Sequence, residues 1–314
     1  MQQHSSGLAK NILATIVYYD CMDFAMTSFE IWKYLLKLNY YEHSEETERY
    51  TLEEVLRELE HGFLIGHIEQ KNGFYFLKGR QQLAISRITG EKISSLKIRR
   101  LSRIVSIMRF VPFVEMIAIT GKLAMKSARP KSDLDVLVVF KDGYIWTGRT
   151  VMTLLVHLLG KRRYGKKIAD RVCFNYFITV SGLEVITKDV YSASEYSFMM
   201  PIFGWSIFNK FQIKNGWIRA MKPLYDIAHI PPMRLLHDSN FSQRIRAMLE
   251  KMFSSEKLER FLKKIEHEKI MHNPKTAREG SIVHAYDDAL IFLPEPKGPK
   301  IFEQFKEKMS TLLT

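Results

Sequence analysis

The chain has 314 residues, enough for two domains that each bury a core. Hydrophobic residues make up 46% and charged residues 26%, an ordinary globular balance, and no run approaches the roughly 18 uninterrupted apolar residues of a membrane-spanning helix. The net charge is +13, from 47 Lys and Arg against 34 Asp and Glu, which favours polyanionic partners such as nucleic acid, because neutralising phosphates releases condensed counterions.

The apolar run Ile12 to Tyr19 reads as the buried face of a first helix over residues 8–20. It is not a signal peptide, since only Lys10 precedes it, and Asp20 and Asp23 follow in place of a small-residue cleavage site. Cys21 and Cys173 provide neither a disulfide framework nor metal-ligand spacing, and fit reduced thiols in a cytoplasmic protein.

Thr27 to Glu30 and Thr51 to Glu54 are both capping boxes, each opening a helix. Ile31, Tyr34, Leu35 and Leu38 continue the first at helical spacing, and Leu52, Val55, Leu56 and Leu59 line one face of the second. The pattern then turns to strand: Phe63 to Glu69, the dipeptide Asn72-Gly73, and Phe74 to Leu77. Asn-Gly between apolar runs predicts a type I′ hairpin, because both residues tolerate positive φ. Helices followed by such a hairpin give residues 1–80 the order of a winged helix-turn-helix. The helix that would enter a DNA groove reads Glu53, Glu54, Arg57, Glu58, Glu60, so packing or a protein partner is as good a use for this module as DNA.

Residues 81–110 form a basic linker helix or helix pair, with Lys97, Arg99, Arg100, Arg103 and Arg109 among Ile98, Leu101, Ile104 and Ile107. It reads either as a solvated connecting face or as a phosphate-facing surface. A core of residues 111–190 follows. Val114 to Ile119 is a strand ending at Thr120-Gly121, and Leu123 to Ser127 makes one or two helical turns. Arg129-Pro130-Lys131-Ser132 breaks that helix, and Asp133 to Phe140 is strongly β-prone. A helix over 147–160, a basic loop over 161–167, and strands from Arg171 to Val180 and Leu183 to Ile186 complete it. Residues 191–314 are expected to be mainly helical, over 192–203, 206–221, 240–270 and 299–313, with a strand-like pair near Ile282-Val283 and Leu290 to Leu293.

Side chains alternate along a strand, so Asp133 and Asp135 fall on one face. Paired carboxylates there form a half-cage for Mg2+ or Mn2+, hard cations that take carboxylate oxygens together with substrate phosphates. Two such ions about 3.5–4 Å apart would serve the attacking oxygen and the leaving pyrophosphate. Gly121 supplies a side-chain-free turn whose following amides can hold a triphosphate, with Lys122 and Lys126 adding charge. Solvated acids at a strand edge are the bland alternative.

The arrangement of Thr120-Gly121-Lys122-Leu123-Ala124-Met125 followed by Ser132-Asp133-Leu134-Asp135 resembles the DNA polymerase beta nucleotidyltransferase superfamily. Residues 173–177, 191–195 and 215–217 look similar to a poorly characterised prokaryotic group within it. The resemblance implies an α+β fold: a mixed nucleotidyltransferase sheet with helices, after a winged helix-turn-helix and before a mainly helical region. It implies transfer of a nucleoside monophosphate from a nucleoside triphosphate to a hydroxyl, with RNA or DNA the expected acceptor. Asp133 and Asp135 would be the catalytic, metal-binding pair, with Thr120, Gly121, Lys122 and Ser132 around the nucleotide. Lys122 stands where the family has a serine, and a lysine binds phosphate as a point charge. The third acidic position falls on Asn175, which cannot take a proton; Asp170 and Glu184 are the nearest carboxylates. A degenerate, non-catalytic nucleic-acid-binding or regulatory module is therefore the second reading. Arg162, Arg163, Lys166 and Lys167, with Lys126, are candidates for a phosphate or substrate clamp, Tyr164 is available for base stacking, and a solvated loop is the alternative. His267 and His272 are five apart, one too many for a zinc-protease helix, and the aromatic run over 196–217 reads as core.

Overall fold

A computed structural model describes residues 7–38, 49–60, 62–225, 234–274 and 278–313. In chain order the elements are α1 (Gly7–Asp20), β1 (Met26–Thr27), α2 (Ser28–Lys33), α3 (Leu52–Leu59), α4 (Gly62–Ile65), β2 (Ile68–Lys71), β3 (Phe74–Leu77) and α5 (Gln82–Met108). Then come β4 (Val114–Ile119), α6 (Gly121–Ala124), β5 (Leu134–Phe140), α7 (Ile145–Leu158), β6 (Val172–Thr179), α8 (Val190–Ser197), β7 (Met200–Phe203), α9 (Trp205–Lys214) and α10 (Ile218–Met221). The remainder is α11 (Asn240–Phe253), α12 (Glu256–Met271), β8 (Ile282–Ala285), β9 (Ala289–Leu293) and α13 (Gly298–Leu313). The fold is α+β.

Both capping boxes close. The Glu30 amide donates to Thr27 Oγ1 at 3.1 Å while the Thr27 amide donates to Glu30 Oε2 at 2.9 Å, and Thr51 and Glu54 repeat the exchange at the start of α3. Asn72 and Gly73 take φ of 54° and 80°, and join β2 to β3. With β1 these strands make a three-stranded antiparallel sheet in the order β1-β3-β2. Residues 82–108 form one 27-residue helix.

The larger sheet has six strands in the order β7-β4-β5-β6-β9-β8. Only β5 and β6 run parallel; every other pairing is antiparallel. Each face carries its own apolar cluster. Met116, Ala118, Leu137, Val139, Tyr176 and Ile178 pack with α1, α8, α9 and α13. Ile117, Ile119, Val136, Val138, Phe140 and Phe177 pack with α5, α7 and Ile270 of α12. The period-two alternation of β5 thus sends its odd-numbered side chains toward α8 and α13, and Asp135 goes with them.

Four local expectations are corrected. Helix α2 stops at Lys33, so Leu35 and Leu38 lie beyond it. There α1 satisfies the backbone instead: Leu36 N donates to Thr15 Oγ1 (2.9 Å) and Leu38 N to Asn11 Oδ1 (3.1 Å). The strand expected from Phe63 begins only at Ile68, because residues 62–65 form a helical turn; short apolar runs do not distinguish the two. Leu183 to Ile186 forms no strand, since Asn215 takes up its backbone, donating to Leu183 O (2.9 Å) and accepting from Val185 N (2.8 Å). The helix expected over 192–203 ends at Ser197, and residues 200–203 become β7. Pro201 lacks an amide donor and disfavours helix in the residue before it, yet is tolerated on an edge strand.

Candidate functional site

The site grows from the ends of β4 and β5. Thr120, buried at the end of β4, donates its amide to Asp135 O (3.2 Å), which keeps the strands paired to their tips. Gly121 then turns the chain at φ 62° into α6. A Cβ there would lie 3.1 Å from Asp135 Oδ2, in a backbone region that side chains rarely enter, so both conformation and space call for glycine. Asp133 immediately precedes β5 and Asp135 lies within it. Their carboxylates point together: one ligand atom from each, and Sγ of Cys173 on β6, all lie within 4.8 Å of one another.

The turn before Asp133 is held from below by α5. Lys97 is 2% exposed, and its ammonium donates to Pro130 O (3.1 Å), Ser132 O (2.8 Å) and Asp170 Oδ1 (2.7 Å), which uses all three of its hydrogens. The Asp170 amide donates to the same Ser132 carbonyl (3.1 Å), and Arg100 pairs with the other Asp170 oxygen. Ser132 Oγ donates to Arg129 O (2.9 Å) and tightens the turn. Neither expectation for the basic helix covers this use of Lys97 and Arg100, which is to brace the loop. Arg109 is similarly engaged, donating to His237 O (2.6 Å).

Around the carboxylates the electrostatics are uneven. Burial, and then the charge of Asp133, push the Asp135 carboxyl up to about 6, against the opposing charges of Lys297 and Arg163. Arg163 Nη1 donates to Asp133 Oδ2 (2.7 Å) and to Cys173 Sγ (3.2 Å). Burial, with the charge of Asp135, raises the Cys173 thiol to about 12, so it stands as a neutral thiol that donates to Asn175 Oδ1 (3.1 Å). Asn175 Nδ2 in turn donates to Asp135 Oδ1 (2.9 Å). Glu195 on α8 is pushed up to about 7, by burial first and next by the charge of Asp135. Lys122 is lowered by burial and by the nearby charges of Arg129 and Lys297.

Of the residues singled out in the sequence, the structure gathers Gly121, Asp133, Asp135, Asn175 and Arg163, with Lys122 and Ser132 on the adjoining turns. Lys126 turns away toward Glu91 of α5, its ammonium 3.8 Å from that carboxylate. In the 161–167 loop, Arg162 is half-buried and its guanidinium feels Arg149 and Glu266, while Lys166 and Lys167 are exposed. Tyr164 is also exposed, edge-on to His157. Neither substitute carboxylate joins the pair: Asp170 is engaged by Lys97 and Arg100, and exposed Glu184 by Lys188 (2.6 Å). Among the described residues no third carboxylate lies within metal-bridging reach of both Asp133 and Asp135.

Three residues at the site escape a reading of the sequence alone. Cys173 leaves a faint signal, because it and Asn175 alternate on a strand pairing with β5 in the register Asp135↔Cys173. Glu195 falls in the 191–195 stretch that carries the resemblance, with no role attached to it, and Lys297 leaves no signal; only tertiary packing brings them here. Lys297 immediately precedes Gly298, the start of α13, where a Cβ would meet Tyr191 Cβ at 3.2 Å, and that close approach seats the helix start on α8. Compared with known proteins, the chain matches no family model, no curated protein and no solved structure.

Proposed function

We propose that the protein is a metal-dependent nucleotidyltransferase that moves a nucleoside monophosphate from a nucleoside triphosphate to a hydroxyl of a nucleic acid. The observation that carries this reading is the convergence of the Asp133 and Asp135 carboxylates beside a turn whose positive φ and close approach to Asp135 favour glycine. The donor set fits Mg2+ or Mn2+: two carboxylates on one strand end, a pair that such ions take together with substrate phosphates. Asp133 and Asp135 would hold the ion, which when bound polarises phosphoryl oxygens. Lys122 and Lys297 offer ammonium groups to the phosphates, and Arg163 exchanges its bond to Asp133 for one to a phosphate oxygen. Asn175 orients Asp135 through the 2.9 Å hydrogen bond. Glu195, half-buried and raised to about 7, is the group nearest in character to a proton acceptor for the attacking hydroxyl.

We read the N-terminal unit, in the order helix, strand, two helices and hairpin with one further helical turn, as a winged helix, and the six-stranded sheet as the polymerase-beta type. Helix α3 carries Glu53, Glu54 and Glu58 and ends at the C-cap Glu60, which favours packing or a protein contact over groove binding. The second reading, a degenerate site that binds nucleic acid without transfer, is favoured by Asn175 at the third position and by the Arg163 guanidinium on Asp133.

The test is incubation of the full chain with labelled nucleoside triphosphates, Mg2+ or Mn2+, and mixed RNA. The transferase reading expects labelled RNA, abolished in Asp133→Asn without a change in unfolding temperature. Retarded RNA carrying no label gives the degenerate module, and full activity in Asp133→Asn ends the proposal.

A further inference from the structure

A cleft of about 420 Å³ opens between α5 and the segment 122–130, and the N-terminal unit closes its far side. Its floor is set by Gly90, where a Cβ would lie 3.1 Å from Ser127 Cα, and by Ser94 Oγ, which accepts from Ala128 N at 3.0 Å. These contacts fix the backbone that carries Arg129. Four cations line the cleft; Arg87 is committed to Glu30, and the other three come from separate parts of the chain: Arg80 after β3, Lys122 beside the glycine turn, and Arg129. Asp23 is the carboxylate in the lining, and Arg80 Nε also lies 3.3 Å from the buried Asp20 Oδ1. Asp23 Oδ1 accepts from Arg80 Nη2 at 2.8 Å, while its Oδ2 lies 3.6 Å from Arg129 Nη2. A single anion bridging two guanidiniums is the arrangement that a phosphate oxygen pair would also satisfy. Lys122 makes no ion pair among the described residues; burial and the charge of Arg129 lower its ammonium, Asp23 offsets part of this and Lys297 adds to it, so a phosphate that takes the place of Asp23 keeps a compensating negative charge beside it.

We propose that this cleft binds the phosphodiester backbone of a single-stranded acceptor, with Asp23 occupying a phosphate position until the strand displaces it. Three features carry the assignment. Arg80, Lys122 and Arg129 come from three separate stretches of the chain, which suits a phosphodiester backbone crossing the cleft. Thr89 of α5 adds an uncharged hydroxyl to the wall. Lys122 belongs both to the cleft and to the turn beside Asp135, so a strand lying in the cleft leads toward the carboxylates. The role of the strand as acceptor rests on the transferase reading; its binding does not.

The test is fluorescence anisotropy of a labelled single-stranded oligoribonucleotide with the full chain, titrated at several salt concentrations. Arg129→Ala should weaken binding and make the slope of log K against log salt shallower by about 0.7, the share of one phosphate contact on a single strand. Asp23→Asn should act in the opposite direction, tightening binding by up to about fivefold, as expected for loss of a competing exposed ion pair. Asparagine tolerates the φ of 55° at this position, so the variant is expected to fold. Opposite signs in two exposed variants are not a signature of misfolding. Wild-type affinity in both variants, or no binding by the unaltered chain, overturns the proposal. Strand binding with the expected variant pattern but no label transfer would instead end the transferase reading alone.

Discussion

Asp135 combines a demand for charge with surroundings that resist it. Its carboxyl is raised from an ordinary 3.8 to about 6, chiefly by burial and next by Asp133. The folded state therefore holds the proton more tightly than the unfolded chain does. The ionised carboxylate costs stability above about pH 6, and that cost disappears below about pH 4. Asp135→Asn, which keeps an acceptor for Asn175, is expected to be more stable than the wild type at pH 8 by roughly 2–3 kcal/mol, and equal to it at pH 4. Saturating Mn2+ should reverse the order at pH 8, because only the wild type gains binding energy on the folded state. Thermal melts at both pH values, with and without Mn2+, read this directly; an unchanged difference across pH would remove burial as the cause. At this scale much of the site was legible. Alternation places Asp133 and Asp135 on one flank, and Gly121 next to a strand end signals a turn. The hydrogen bonds of Asn175 and the reach of Arg163 were not legible, because they depend on how β6 registers against β5.

The stretch from α6 to β5 buries Leu123, Ala124 and Ala128, but the turn before Asp133 relies on α5 for its shape. Lys97 brings three donors to two carbonyls and one carboxylate, and without it the Pro130 carbonyl and Asp170 would lose a partner in a partly enclosed place. Lys97→Met is expected to cost roughly 2–4 kcal/mol of stability, the range for breaking a buried charge-assisted set. Denaturant unfolding measures that loss. Calorimetry with Mn2+, performed where the variant is still folded, should also show weaker binding, since Asp133 follows directly on the freed loop; unaltered Mn2+ affinity would reduce Lys97 to a scaffold residue. The spacing of Lys97 among Ile98, Leu101 and Ile104 predicts an amphipathic helix, but nothing in it tells a buried lysine from a solvated one. The capping boxes and the Asn72-Gly73 hairpin were readable because their signals are local. By contrast, β7 and the 183–186 loop are decided by Pro201 at a sheet edge and by the Asn215 side chain, both long-range matters.

Across the whole molecule, the sheet is completed by strands from far along the chain, and the site by its last helix. Lys297 is exposed, yet its charge acts on Asp135, Glu195 and Lys122. Lys297→Ala should leave the unfolding free energy within about 0.5 kcal/mol. It should weaken inorganic triphosphate binding by up to about fivefold. With the opposing cation gone the Asp135 carboxyl moves further up, so the pH at which Mn2+ binding fails should rise. Calorimetric titration across pH checks both effects, and a midpoint that does not move would detach Lys297 from the site.

The ion pair between Lys308 and Asp20 joins residues 288 positions apart at 2.5 Å, tying the last helix to the first. During synthesis α1 is made long before α13, so Tyr18, which packs edge-on against Phe305, lacks that cover until α13 docks. Entropy makes a loop of that length slow to close. The nascent chain accordingly holds both aspartates well before it holds Lys297, and gathers the full charge of the site only once that lysine has been made.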